Sequence, residues 1–256
     1  MKVLWGFTKR GKASCYDSVG ERTAVSMERR SRREARRFEK LPRKGVYLLG
    51  IAIVLGSEFI LRDVLLPSQP SGFHVGMALL GEWLVFAAFI GLWIPRVEGA
   101  SSTSLGWGRF KARHLWLAIL AYLLTTLAII VSDTVLVSIG LEPMRSLQPR
   151  LKGYSLPVLV GLFLTGSFLE EILYRGYLIE RTTLLTGHRW LAGLVSWLSF
   201  TLVHLKFVGL GPMIDMAIMS AALTLLYLCE GNLWPCIIFH GVNNALAYLI
   251  FPLFIE

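Results

Sequence analysis

Charge is what this chain has least of: Asp, Glu, Lys and Arg make up 17% of its 256 residues, against 54% hydrophobic. That is too little polarity to cover one soluble domain of this size. Cysteine is scarcer still, since Cys15, Cys229 and Cys236 are the full complement. Three such cysteines give neither a disulfide framework nor a paired spacing for a metal. No convincing cleavable leader is expected, because the early apolar stretch Val3 to Phe7 is short and charge follows at once. Cys15 follows Ala13 and Ser14 but lacks the apolar region of a lipoprotein signal. The ending Phe254-Ile255-Glu256 is no prenylation box. Internal repeats are absent, as is low complexity beyond one basic run.

Long apolar runs fill the chain instead, at 46 to 66, 73 to 94, 115 to 139, 154 to about 178, 190 to 208, 212 to 228 and 233 to 252. Crossing the hydrocarbon takes roughly 20 residues of helix, and these runs are too long and continuous for barrel strands. Backbone exposed to lipid must satisfy its own hydrogen bonds. The expected fold is therefore all-α, a polytopic membrane bundle of about seven to eight transmembrane helices, one of the runs being split or re-entrant in the larger count. Pro67 to Gly72, Gly99 to Gly108 and Gly209 to Pro212 read as connectors.

The net charge of +9 suggests nucleic acid until it is located. Residues 1 to 45 hold 14 Lys and Arg against 5 acids, and the rest hold 12 of each. The chain divides into a basic arm, 1–45, and a transmembrane domain, 46–256. A cluster from Arg29 to Lys44 just ahead of the first span keeps the amino terminus cytoplasmic by the positive-inside rule and attracts anionic lipid. No nucleic-acid partner is expected. The loop 95 to 114, with Arg96, Arg109, Lys111 and Arg113, fits a return to the cytoplasm, whereas Arg145, Arg150 and Lys152 fall on the opposite side of this count. An integral protein of the plasma or inner membrane is the expected location.

Function then lies among polar residues inside the bundle. Glu58 can pair with Arg62 one turn on, Glu82 and Asp133 sit deep in their runs, and Asp215 stands near a span start. His74, His114 and His188 fall at span ends, where a polar ring is at home. The second half of the chain differs, because its polar residues recur at helical spacing. Glu170 and Glu171 interrupt an apolar run, a placement that costs about 2.5 to 3.5 kcal/mol per charge at a span's centre and marks a functional candidate. Arg175 follows Glu171 at i+4 on the same face, and Glu170 points about 100° away. Phe200 and His204, then His240 and Asn244, repeat the spacing on two further runs.

These three motifs, in this order and together with Asn232-Leu233-Trp234-Pro235 and His240-Gly241-Val242-Asn243-Asn244, resemble the signature of the CPBP family. That family comprises the CAAX-type prenyl-protein endopeptidases and the bacteriocin-processing or immunity relatives, the ABI proteins. The resemblance covers roughly 154 to 252. It implies a glutamate-dependent intramembrane endopeptidase acting on a membrane-associated peptide or protein, prenylated or a peptide precursor, without a cofactor. Carried over by position, Glu170 and His204 activate water, His240 and Asn244 form the oxyanion site, and Glu171, Arg175 and Phe200 support them. Two alternatives use the same residues: a zinc protease with Glu170, His204 and His240 as ligands, or a scaffold or bacteriocin-immunity protein without turnover, whose polar residues hold helices together. The zinc reading lacks a His-Glu-x-x-His helix.

Overall fold

The computed structural model describes residues 44–64, 66–67, 70–143, 151 and 153–251, with side chains at 62–64 and 206–208 excepted. All belong to the compact unit Arg43–Glu256. The basic arm up to residue 43, Cys15, the side chain of Arg62, Arg145, Arg150, Lys152 and residues 252–256 lie outside the described residues.

Seven long helices and no strand stand among the described residues. They are α1 (Lys44–Leu61), α2 (Gly72–Val97), α3 (Ala112–Ser138), α4 (Leu156–Thr186), α6 (Leu210–Glu230) and α7 (Leu233–Ile250), each long and apolar enough to cross a membrane, with α5 (Arg189–Val208) between α4 and α6. The run at 190 to 208 that the sequence offers as a span is α5. This is an integral membrane protein built as a helical bundle.

The helices are inside-out relative to a water-soluble bundle. On α5, Ala192, Ser196, Phe200 and His204, four apart, are buried, while Trp190, Leu191, Leu194, Leu198 and Leu202 are exposed. Small and polar groups thus face protein, and large apolar groups face outward. In water such a surface would drive association; in a bilayer it is the solvated face. α3 carries the pattern furthest, exposing Trp116, Leu120, Leu123, Leu124, Leu127, Ile130 and Val131.

Helix ends explain two of the histidines. His74 sits at the third position of α2 and closes a capping box with Ser71, Oγ to Nδ1 2.7 Å. His114 supplies half of such a box on α3, its Nδ1 accepting from the Lys111 amide at 3.2 Å. Asn232 caps α7 by accepting from the Trp234 amide, while its own amide donates to Arg109 O.

The connector from Glu98 to Lys111 packs against one end of the bundle. Glu98 accepts from Arg181 Nε at 2.8 Å, from Trp93 Nε1 at 3.1 Å and from the Tyr177 hydroxyl. Arg181 donates further to Ser104 Oγ and Ser104 O. A Cβ at Gly176 would stand 2.7 Å from Leu105 O, so glycine there lets the connector lie directly on α4. The Leu233 amide donates to Gly106 O, and Trp234 Nε1 donates to Gly108 O. Lys44, Arg96, Arg109 and Lys111 are exposed at this end.

Candidate active site

α4 is the axis of the site. From Thr165 to Ile179 it is wound loosely as a π-helix, and every residue of that stretch except Phe168 is buried. Widened turns of this kind are frequent at functional sites. The segment is buried because α1, α2, α5, α7 and the connector pack on it, with α6 reaching it through Ser220. Charge that lipid would reject is therefore held by protein.

Glu171 is the buried hub. It is fully shielded from solvent, and its Oε1 accepts from Arg175 Nη1 at 3.0 Å and from His240 Nδ1 at 2.7 Å. Arg175, equally buried, donates through Nη2 to Ser220 Oγ at 3.0 Å and to Ser220 O at 3.3 Å on α6. Its guanidinium lies over the Phe200 ring, 4.5 Å from the centroid. Phe200 in turn packs against Tyr174, His204 and His240, so one aromatic ring spaces the arginine from both imidazoles. Among the described residues, Glu171 Oε2 and Arg175 Nε have no hydrogen-bond partner.

Glu170 points elsewhere, toward α5. Its Oε1 lies 3.9 Å from His204 Nε2, and both residues are buried. His204 Nδ1 is 2.7 Å from Phe200 O. A carbonyl only accepts, so Nδ1 carries the proton and, in the neutral ring, Nε2 turns a lone pair toward Glu170. The gap is too long for a direct hydrogen bond and within reach of one shared water.

α7 brings His240 and Asn244, both buried, against the same stretch of α4. Since Glu171 beside Arg175 is an acceptor, His240 Nδ1 donates, which leaves Nε2 as a lone pair when the ring is neutral. Asn244 Oδ1 accepts from Asn243 Nδ2 at 3.3 Å, so the Asn244 amide nitrogen faces α4. It meets Gly166, where any Cβ would collide with Nδ2. Glycine at 166 is what lets this amide approach.

The structure thus brings together Glu170, Glu171, Arg175, Phe200, His204, His240 and Asn244 from α4, α5 and α7. His240 reaches Glu171, a bond that motif spacing does not reveal. Ser220 and Gly166 also touch these residues and carry no recognisable spacing; Ser220 is legible only as a small polar residue on a buried face. Glu58 and Glu82 line a separate small cavity of about 10 Å³ with Ser57, Leu169 and Leu173. Asp215, expected near an interface, is fully buried, because the start of α6 packs at Gly211 directly on the backbone of Glu142.

Glu170, His204 and His240 do not converge as a zinc ligand set. Among the described residues no three His, Cys, Asp or Glu side chains stand close enough to share a metal ion. His240 directs Nδ1 at Glu171, and His204 directs Nδ1 at a backbone carbonyl.

Residues 152–246 match the family model described as type II CAAX prenyl endopeptidase Rce1-like. No curated protein and no solved structure matches the chain.

Proposed function

We propose that this chain, whose residues 152–246 match the type II CAAX prenyl endopeptidase Rce1-like model, is an intramembrane endopeptidase in which Glu170 and His204 activate water. The observation that carries this reading is the division of labour between adjacent acids. Glu171 is held by Arg175 and His240, and Glu170 is directed at a different helix, its Oε1 3.9 Å from His204 Nε2.

Peptide hydrolysis needs a nucleophilic water, stabilisation of the oxyanion and a proton for the leaving amine. A water bound to Glu170 and His204 gives its proton to Glu170 as its oxygen bonds to the scissile carbonyl carbon. The carbonyl π pair moves onto oxygen, which Asn244 Nδ2 and the His240 side of α7 face. Collapse of the intermediate expels the amine nitrogen, which takes the proton back from Glu170. Glu171, Arg175, Ser220 and Phe200 fix the frame.

The substrate is a peptide or protein held at the membrane, and the family name points to a prenylated carboxy terminus. The end of the bundle carrying Lys44, Arg96, Arg109 and Lys111 faces the cytoplasm in this reading, with the arm 1–45 on anionic lipid. The test is release of the terminal tripeptide from a farnesylated CAAX peptide by purified protein in lipid vesicles. Wild type cleaves, and folded Glu170→Gln and His204→Ala do not; cleavage by either variant at the wild-type rate contradicts the assigned roles.

A further inference from the structure

Several hydroxyls inside these helices donate to a backbone carbonyl. Thr134, Thr183, Thr186 and Thr201 each donate to the carbonyl four residues back, and Ser196 donates to Tyr174 O on the neighbouring helix. Ser167 breaks the pattern. It is fully buried in α4, and its Oγ has no hydrogen-bond partner among the described residues. A buried polar group without a partner loses solvation for nothing, and such exceptions are few in native proteins. Thr224 is a comparable hydroxyl, but its methyl lies against Gly193 of α5, and no contact joins it to Glu170, His204, His240 or Asn244.

The position of Ser167 supplies a reason. It lies one turn ahead of Glu170 and Glu171, facing α7 at Gly241, with Oγ 3.8 Å from where a Cβ on that glycine would stand. One residue earlier, the Asn244 amide nitrogen abuts Gly166, and His240 Nε2 is 3.7 Å from the Cβ position there. The Ser167 hydroxyl thus faces α7 at the glycine after His240, and the Asn244 amide and His240 Nε2 face α4 at the residue before Ser167, along a seam where both helices carry glycine.

We propose that Ser167 is a further catalytic residue, whose hydroxyl donates a hydrogen bond to the oxyanion beside the Asn244 amide. This rests on the endopeptidase reading above. As the water oxygen bonds to the carbonyl carbon, the displaced π pair leaves an oxygen that needs two donors or more. Asn244 Nδ2 is one. His240 supplies a second only as an imidazolium, because its Nδ1 proton is committed to Glu171, and that would add a positive charge close to Arg175. The Ser167 hydroxyl supplies the second donor with no new buried charge. Its lack of a protein acceptor leaves the proton available for the substrate.

The alternative role for a small residue at a tight helix seam is packing, which alanine fulfils equally well. Steady-state cleavage of a farnesylated CAAX peptide in vesicles separates the two, with Ser167→Ala, Ser167→Cys and Glu170→Gln assayed beside wild type. The expected result for Ser167→Ala is a kcat lower by about 100-fold, with KM within about twofold and thermal stability unchanged or raised. Ser167→Cys, a near-isosteric weaker donor, falls between the two and carries the test if the alanine variant accumulates poorly. Wild-type kcat in both Ser167 variants, with Glu170→Gln inactive, overturns the proposal and leaves the endopeptidase reading intact. A wild-type protein that does not cleave, or a Glu170→Gln variant that cleaves normally, overturns both.

Discussion

Two buried carboxylate–guanidinium pairs use arginines of α4, and they are built differently. Glu98 and Arg181 form a saturated network: both carboxylate oxygens accept, from Arg181, Trp93 and Tyr177, and Arg181 spends its remaining donors on Ser104. Glu171 and Arg175, 0% exposed, leave one carboxylate oxygen and one guanidinium nitrogen without a partner among the described residues. A buried network that is fully satisfied rigidifies a fold, whereas one left partly open carries a cost that packing alone does not repay. The first pair fastens the connector to the bundle. The second adjoins Glu170 and His204, the proposed reacting pair.

The contrast is broken most severely by removing the base next to the open pair. Glu170→Gln is expected to lower peptide cleavage by about 10²- to 10⁴-fold, the usual contribution of a positioned general base, with an unchanged unfolding midpoint in detergent. Arg181→Met acts on the saturated pair and leaves Glu98 buried without its counter-charge. It is expected to cost about 3–5 kcal/mol of stability, read by denaturant titration, while the folded fraction keeps its specific activity. Glu171→Gln should do the reverse in proportion, losing activity by up to about 100-fold through misplacement of His240 at a smaller cost in stability. Equal stability losses in these last two variants would erase the distinction between the pairs.

Gly166→Ala sharpens the same comparison at the edge of the open pair. The added methyl displaces the Asn244 amide, and a drop in kcat of about tenfold or more is expected from the loss of alignment, with KM little changed. The smallest effect comes from metal removal. Exhaustive chelation is expected to leave cleavage unchanged, as measured in the same assay; a loss restored by zinc would revive a metal mechanism.

How much of this the sequence discloses follows from the range of each contact. The helices are legible because a span is a local property, a run of apolar residues of sufficient length. The Glu171–Arg175 pair, the Phe200–His204 contact and the shared face of His240 and Asn244 are legible for the same reason, being one turn apart. Glu171 with His240 and Glu98 with Arg181 are separated by 69 and 83 residues, and no spacing rule joins them. Ser220 and Ser167 read as ordinary small polar residues until packing shows one beneath Arg175 and the other facing Gly241. Burial of Asp215 depends likewise on a tight contact between Gly211 and a connector, which composition cannot convey.

The most direct test of the central claim is cleavage of a farnesylated CAAX peptide in ¹⁸O-labelled water by wild type and by Glu170→Gln, each shown to be folded in the same vesicles. Mass spectrometry of the shortened peptide should find one ¹⁸O in the new carboxyl group with wild type and almost no product with the variant. Equal amounts of labelled product from the two proteins would contradict the account.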